Sequence, residues 1–295
     1  MFRLHRHHLL LSTSVIALAV LVPAGTASAG GGSATSGPAG SCQPLLPFRP
    51  GDFHDPTRID SRYLPMVPGT QSVYEGQTSE GSHAVVFTVT DLVKIVDGVT
   101  TRVVLDVDQE DGAVDEAELA FFAQDDDGNV WNLGEYPEEF ENDEFAGAPD
   151  VWIGGLRGAR PGVHMPARRE AAEGVQYLQG RAPAIEFLDC ATIADDDGRL
   201  TVPAGHFTDV LTIHETSPLE STTAIQTKEH APHVGIIRIG AINDPEDETL
   251  VLTRYVHLSA GERDRLNGRA MALDAHGHSD SISPLYRSTP RVHVG

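Results

Sequence analysis

Four Asp-Gly steps divide this chain of 295 residues, and they constrain its fold more than any other feature. Residues 83–96 and 99–107 are two runs rich in β-branched side chains, and only Asp97-Gly98 separates them. A type I′ turn needs positive φ at both central residues, so Asp-Gly between such runs favours a tight antiparallel hairpin. The other steps lie at positions 111–112, 127–128 and 197–198. The chain is therefore predicted to consist largely of antiparallel hairpins.

Further strand candidates follow, and their apolar residues recur with period two. Val85, Phe87 and Val89 fall on one face of a strand, which fits a sheet with one well-buried face. The other candidates are residues 118–123, 129–133, 175–178, 184–193, 207–214, 234–239 and 250–257. The predicted fold class is mainly β: a curved antiparallel sheet or half-barrel built from hairpins, with one C-terminal helix.

The C-terminal helix is predicted from its start signal. Ser259 and Glu262 are three positions apart, as in a capping box. Apolar residues then follow at roughly helical spacing, namely Leu266, Met271 and Leu273. We expect this helix to pack on the β-rich domain.

The first 29 residues have the features of a secretory signal peptide. Arg3 and Arg6 precede an apolar stretch over residues 9–22, and Ala27-Ser28-Ala29 matches the small-x-small pattern of a cleavage site. We expect cleavage near Ala29 and a secreted or otherwise extracytoplasmic mature protein. No later apolar run reaches about 18 residues, so no transmembrane span is expected after cleavage.

Composition divides the chain into five predicted segments. After the signal peptide, residues 30–47 begin with a stretch poor in bulky apolar side chains, which is typical of a flexible leader. The predicted order is a signal peptide (1–29), a flexible leader (30–47), a β-rich domain (48–258), a C-terminal helix packed on it (259–276) and a surface tail (277–295).

The charge balance argues against one class of partner. The chain has 43 acidic and 21 basic side chains, so its formal net charge is −22. Binding nucleic acid through phosphates needs clustered Lys and Arg, so no nucleic acid partner is expected.

The two cysteines, Cys42 and Cys190, leave two alternatives open. An oxidising compartment favours a disulfide between them. The position of Cys42 in the predicted leader favours instead an exposed Cys42 and a buried Cys190.

One acidic segment has some features of a calcium loop. Placing Gly128 sixth, as an EF-hand requires, puts Ala123 first and Gly134 twelfth, so two necessary ligands are missing. An irregular Ca²⁺ site formed by Asp125, Asp127 and Glu135 is an alternative to the simpler reading, a tight turn. The prediction is no cofactor, with Ca²⁺ as the alternative.

Patterns of known catalytic sites are missing from the sequence. It contains no GxSxG, SxxK, Walker A or GxGxxG motif. Two pairs of histidines have a spacing at which imidazoles can face one transition metal: His230 with His233, and His276 with His278. We expect these histidines to be exposed to solvent instead. No catalytic residue is assigned.

Several segments resemble, in order, a family of exported bacterial β-rich proteins with no assigned activity. They include Pro68-Gly69-Thr70, Gln124-Asp125 with Gly128-Asn129-Val130-Trp131, and Gly158-Ala159-Arg160-Pro161-Gly162. The resemblance covers roughly residues 60–275 and implies an extracytoplasmic β-rich domain. The chain is also similar, less closely, to the half-barrel sheets of periplasmic lipoprotein carriers.

Together these features favour non-catalytic binding of an apolar or amphipathic small molecule in the concavity of a curved sheet. Trp131, Tyr136 and Trp152 are the candidate wall of this site. Two alternatives remain: a hydrolase that uses acidic residues with or without Ca²⁺, and an envelope interaction protein whose acidic face meets a basic partner.

Overall fold

The computed structural model describes residues 42–219, 221, 223–279 and 282–295. The predicted signal peptide, its cleavage site and residues 30–41 of the predicted leader lie outside the described residues. None of the helices in the described ranges combines the length and apolarity that a membrane crossing needs.

The described chain consists mainly of strands. In chain order they are β1 (Thr70–Gln77), β2 (Ser82–Val96), β3 (Val99–Glu110), β4 (Ala113–Gln124), β5 (Val130–Glu141), β6 (Glu144–Gly147), β7 (Trp152–Ile153), β8 (Arg160–Met165), β9 (Tyr177–Ala182), β10 (Phe187–Val202), β11 (Gly205–Thr216), β12 (Ile225–Ala231), β13 (Gly235–Ile242), β14 (Thr249–His257) and β15 (His293–Val294). The helices are α1 (Ala260–Gly277) and the single turn α2 (Pro284–Arg287).

Twelve of these strands close into an antiparallel barrel. Their order is β1-β14-β13-β12-β11-β10-β9-β8-β5-β4-β3-β2, and β2 pairs back onto β1. The mainly β class and the C-terminal helix are confirmed, but the half-barrel is corrected to a closed barrel. Closure follows because β1 is hydrogen-bonded along both edges, to β14 and to β2, which leaves no open edge in the ring.

The Asp-Gly steps differ in what they do. Asp97-Gly98 and Asp111-Gly112 form the tight turns of the β2–β3 and β3–β4 hairpins, with positive φ at every position. Gly128 has φ 92° in the turn between β4 and β5. Asp197-Gly198 instead lies inside β10, where the pairing with β11 shifts register. Three of the four steps therefore lie in turns between strands, and the fourth marks an irregularity within one strand.

The largest apolar core lies outside the barrel, under α1. It joins side chains of β2, β3, β4 and β5 to Leu266 and Ala270 of α1. The capping box is present, because the Ser259 backbone N–H donates to the Glu262 carboxylate at 2.9 Å. α1 therefore covers one outer side of the barrel, and the opposite faces of the same strands form the barrel interior.

Both ends of the described chain pack more closely than the sequence suggests. Cys42 is disulfide-bonded to Cys190, so the paired alternative is the one observed, and Cys42 packs against Leu178 and Leu188. In the predicted surface tail, Tyr286 is fully buried and β15 pairs with β2. The reason is a long-range contact, since the ring of Tyr286 stacks on that of Tyr136 with 4.1 Å between the ring centroids.

Candidate functional site

A groove of about 480 Å³ lies on the outer surface of the barrel, between α1 and the strands β14, β1, β2 and β3. We call it the helix groove. It is lined by Gln71, Val86, Thr88, Leu105, Val107, Gln109, Arg254, Val256, His257, Leu258, Glu262, Arg265, Leu266 and Arg269. The lining combines a floor of apolar and uncharged polar side chains with a rim of arginines.

Strand register builds the floor from two rows of side chains. Leu105 pairs with Thr88, Thr88 with Gln71, and Gln71 with Val256, so one row crosses four strands. Within this row the Gln71 side-chain amide donates to the Thr88 hydroxyl at 3.0 Å. Because directly opposite residues on neighbouring strands share a face, the whole row points to the same outer surface.

The second row is more apolar and ends at the positively charged side chain of Arg254. Val107 pairs with Val86, Val86 with Val73, and Val73 with Arg254. Leu266 of α1 closes the floor from the helix side. Along this row the groove changes from apolar side chains to a positive edge.

Three arginines make up this positive rim. Arg265 and Arg269 are four residues apart on α1 and lie on one side of it, and Arg254 faces them from β14. All three are exposed, and none forms an ion pair within 4 Å with any residue in the described ranges. In a chain with a net charge of −22, this rim is a local excess of positive charge.

Glu262 is the one acidic residue of the lining. The Ser259 hydroxyl and backbone N–H hold the pKa of its carboxyl below the usual range, and the nearby Arg265 and Arg254 act in the same direction. Its carboxylate is engaged by the helix cap, at 2.6 Å from the Ser259 hydroxyl oxygen. The groove lining therefore carries three arginines against a single carboxylate that the helix cap already uses.

The helix wall of the groove is fixed to the sheet by Asp91 of β2. Arg263 donates to the Asp91 carboxylate from Nε at 3.2 Å, and the Asn267 side-chain amide donates to it at 2.8 Å. The Asp91 backbone N–H donates in return to Asn267 Oδ1 at 3.1 Å. The Arg263 bonds hold the pKa of Asp91 below its usual range, although partial burial opposes them. These hydrogen bonds fix the position of α1 on the sheet beside the groove.

The predicted wall residues lie outside the helix groove. Tyr136 and Trp152 lie in packed clusters, and Trp131 also lines a second outer pocket of about 380 Å³, which it shares with Asp125 and Asp127. Trp131 packs in the outer core beside Phe48, 5.6 Å between ring centroids, and Tyr136 lies in the same core beneath Tyr286. Trp152 belongs to a separate cluster, with its indole N–H donating to Glu135 at 2.8 Å. All three side chains are buried, and none lines the helix groove.

The predicted calcium ligands are not gathered in one place by hydrogen bonding. Asp125 accepts from the backbone N–H of Asn129 at 2.8 Å and from the Trp131 indole at 2.8 Å, so it organises the turn that also contains Asp127. Glu135 accepts instead from Asn132 and Trp152, further along β5. Within the described ranges, no group of three or more His, Cys, Asp or Glu side chains is arranged to hold a metal.

The arginine rim was not among the residues that the sequence singled out. Its members lie on β14 and α1, and strands far away in sequence supply the floor. One local signal does exist: Arg265 and Arg269 are spaced four apart on a predicted helix of an acidic chain.

Comparison with known proteins gives no family assignment. No protein-family description matches the chain, and no curated protein matches it. A crystal structure of a "putative lipoprotein" from Parabacteroides distasonis ATCC 8503 has 15% identity and a TM-score of 0.32, covering 67% of this chain and 100% of that chain. A "putative exported protein with YmcC-like fold" from Bacteroides fragilis NCTC 9343 has 14% identity and a TM-score of 0.35, covering 66% of this chain and 99% of that chain. Structural similarity at this level gives no information about the activity of this chain.

Proposed function

We propose that this chain is an extracytoplasmic, non-catalytic binding protein for amphipathic small molecules with an anionic head group, held in the helix groove. The observation that carries the proposal is the set of three arginines, without ion pairs to any described residue, at the edge of a floor that includes Val86, Val107 and Leu266. An apolar concavity with a few convergent polar groups is the usual form of a small-molecule site.

The floor favours an alkyl chain. Val86, Val107 and Leu266 line a surface that an apolar tail can cover. Each buried methylene contributes about 0.8 kcal/mol, which is about fourfold in affinity. Affinity is therefore expected to rise with tail length until the floor is covered.

The rim favours a carboxylate or phosphate head group. A guanidinium presents paired N–H donors that match these anions, and such charge-assisted bonds are stronger than neutral ones. Arg265 and Arg269 lie one helical turn apart, so both can reach one head group. A cationic head group would meet repulsion at the same place.

Two observations support a location outside the cytoplasm. Cys42 and Cys190 are disulfide-bonded, and structural disulfides persist mainly in oxidising compartments. The signal-peptide features of residues 1–29 point the same way.

The test is a calorimetric titration of the delipidated mature protein with three 12-carbon probes: dodecanoate, dodecyl phosphate and dodecyltrimethylammonium. We expect the two anions to bind at one site and the cation not to bind. We also expect the affinity for dodecanoate to fall by about tenfold between low and high salt, because the rim is exposed to solvent. Equal affinity for all three probes, or no binding by the anions, would contradict the proposal.

A pair of charge-matched variants makes the test specific to the groove. Arg265→Gln with Arg269→Gln should weaken dodecanoate binding by about tenfold, since two exposed ion pairs contribute up to about 1 kcal/mol each. The control is Arg160→Gln with Arg181→Gln, two exposed arginines paired across β8 and β9 and absent from the groove. The control removes the same charge and should leave the affinity almost unchanged.

A further inference from the structure

Two uncharged polar side chains lie in the floor of the helix groove, Gln71 of β1 and Thr88 of β2. Both residues are at least nine-tenths buried, and both line the cavity of about 480 Å³. The proposed function uses the apolar side chains and the arginines of this groove and gives these two residues no role. We call them the floor pair.

Strand pairing holds the two side chains of the floor pair side by side. Gln71 lies directly opposite Thr88 where β1 pairs with β2. The Gln71 side-chain amide donates to the Thr88 hydroxyl oxygen at 3.0 Å, and neither side chain has a second hydrogen-bond partner among the described residues. The floor pair is therefore held in one arrangement inside a cavity of the size that small-molecule sites have.

The direction of this hydrogen bond determines what the floor pair can still offer to a ligand. A threonine hydroxyl has one proton to donate, and its oxygen accepts. Because Thr88 accepts from Gln71, the Thr88 proton remains available to another acceptor. The Gln71 amide keeps one N–H and its carbonyl oxygen. The pair can thus donate and accept at neighbouring positions, which matches a hydroxyl group, since a hydroxyl does both.

The floor pair lies close to the arginine rim. Val73 pairs with Arg254, and Gln71 is two residues before Val73 on the same strand, so Gln71 and Arg254 are diagonal neighbours. Residues in this relation are about 7–8 Å apart. Gln109 also lines the groove, but it lies on β3, three strands away from β14. A hydroxyl bound by the floor pair therefore lies near the anionic head of a ligand and not at the end of its tail.

A plain alkyl chain fits this part of the floor poorly. It would cover the Thr88 proton and the Gln71 carbonyl oxygen without offering a hydrogen bond to either, and a polar group that loses water without gaining a partner weakens binding. A chain with a hydroxyl group at this point avoids that loss. The rest of the chain can still lie on Val86 and Val107.

We propose that the helix groove selects anionic amphiphiles that carry a hydroxyl group close to the head, and that the floor pair determines this specificity. The inference rests on the proposed function, because it concerns the same groove and the same arginine rim. Two kinds of lipid share this chemistry. One is a 3-hydroxy fatty acid, and the other is a lysophosphatidate, whose glycerol carries a free hydroxyl beside the phosphate.

The experiment is a calorimetric titration of the delipidated mature protein with two couples of probes, each differing by one hydroxyl. The first couple is 3-hydroxydodecanoate and dodecanoate, and the second is 1-dodecanoylglycerol 3-phosphate and 3-dodecanoyloxypropyl phosphate. We expect the hydroxylated probe of at least one couple to bind about fivefold more tightly, as one neutral hydrogen bond gained would give. The couple that shows the preference identifies the kind of lipid. 12-Hydroxydodecanoate, with its hydroxyl at the tail end, should bind no more tightly than dodecanoate.

Variants of the floor pair make the test specific. Thr88→Val removes the hydroxyl and keeps the shape of the side chain, so it should reduce the preference to less than about twofold without weakening the binding of dodecanoate. Gln71→Met removes the amide and should have the same effect. The matched control is Thr90→Val on the same strand, because the Thr90 hydroxyl donates to the Val103 carbonyl at 2.6 Å and Thr90 does not line the groove. Thr90→Val should lower the melting temperature and keep the preference.

The outcomes separate this inference from the proposed function. Equal affinities within both couples, tighter binding of 12-hydroxydodecanoate than of 3-hydroxydodecanoate, or a preference that survives in Thr88→Val or in Gln71→Met would overturn the inference and leave the proposed function standing. Absence of saturable binding by every anionic probe would overturn both.

Discussion

Lys94 of β2 and Asp274 of α1 form a buried ion pair, with Nζ 3.4 Å from Oδ1. Neither side chain reaches solvent, and the Tyr286 hydroxyl donates to the same carboxylate oxygen at 2.8 Å. Burial lowers the pKa of Lys94 to about 8, although the charge of Asp274 opposes this effect. The pair therefore ties the C-terminal helix and the segment after it to the barrel.

Replacing Asp274 with Asn should lower the free energy of unfolding by about 3–5 kcal/mol, because it leaves a buried ammonium without its counter-charge. The control is Asp264→Asn, an exposed residue on the same helix, for which we expect a change within about 0.5 kcal/mol. Urea unfolding at pH 7 measures both. A similar change in the free energy of unfolding of the two variants would show that the Lys94–Asp274 pair does not stabilise the fold.

Acid should destabilise the protein between pH 6.5 and 5 through His164 and His230. Their pKa values are about 3 and about 4 in the folded chain, lowered by burial, against about 6.5 when unfolded. The unfolded chain therefore binds more protons below pH 6.5, and each histidine should account for a loss of about 2 kcal/mol by pH 5. Glu215, with its pKa lowered to about 2 because Lys228 outweighs burial, begins to lose its contribution only below about pH 4.5.

His83 does not add to this acid effect. Burial alone would lower its pKa, but Asp108 and Glu248 outweigh burial and raise it to about 9. Its contribution is therefore complete below about pH 6.5 and is lost only as the pH rises towards 9. His164→Asn should halve the loss between pH 6.5 and 5 in urea titrations, whereas an unchanged slope would contradict the assignment.

Removing the disulfide should destabilise the chain strongly. Cys42 and Cys190 are separated by 148 positions, and closing a loop of this length contributes about 5 kcal/mol in the chain-entropy treatment. Cys42→Ala with Cys190→Ala should lose most of this amount in urea unfolding, and reducing the wild-type protein should lose a similar amount. A double variant as stable as the wild type would contradict the prediction.

Two glycines of α1 should respond oppositely to alanine. A Cβ on Gly277 would lie 2.4 Å from Cζ of Tyr136, whose ring is held by stacking on Tyr286, so Gly277→Ala should cost about 1–3 kcal/mol. A Cβ on Gly268 would meet nothing within 4 Å, so Gly268→Ala should stabilise the chain by about 0.4–1 kcal/mol. Thermal unfolding of both variants checks the pair, and equal shifts would contradict the packing of α1 described here.

Local chemistry predicts much of this fold, and long-range pairing decides the rest. Asp97-Gly98 and the capping box at Ser259 act within a few residues, so the sequence reveals them. Barrel closure depends on the pairing of β1 with β14, in which Thr70 lies opposite His257. No sequence pattern near either residue indicates this pairing. Asp197-Gly198 has the composition of a hairpin turn, yet the register shift within β10 accommodates it.

The sites were harder to predict because the acidic residues do not all face solvent. Asp106 and Glu118 lie opposite each other on the inner face of the barrel. The apolar residues that alternate with them along β3 and β4 lie on the outer face, towards α1. In an open sheet with one solvent-exposed face, the same alternation of polar and apolar residues would expose these carboxylates to water. Glu215 and His230 likewise have no signature in sequence, since only closure of the barrel buries them together.

Amide chemical-shift mapping of the mature protein during a titration with dodecanoate shows whether an anionic amphiphile binds in the helix groove. We expect perturbations at groove residues such as Val107, Leu266 and Arg269, with Tyr177 and Glu215 unchanged. The Arg265→Gln and Arg269→Gln double variant should lose these perturbations at the same probe concentration. Perturbations centred on Tyr177 and Glu215, or none at saturating dodecanoate, would contradict binding in the helix groove.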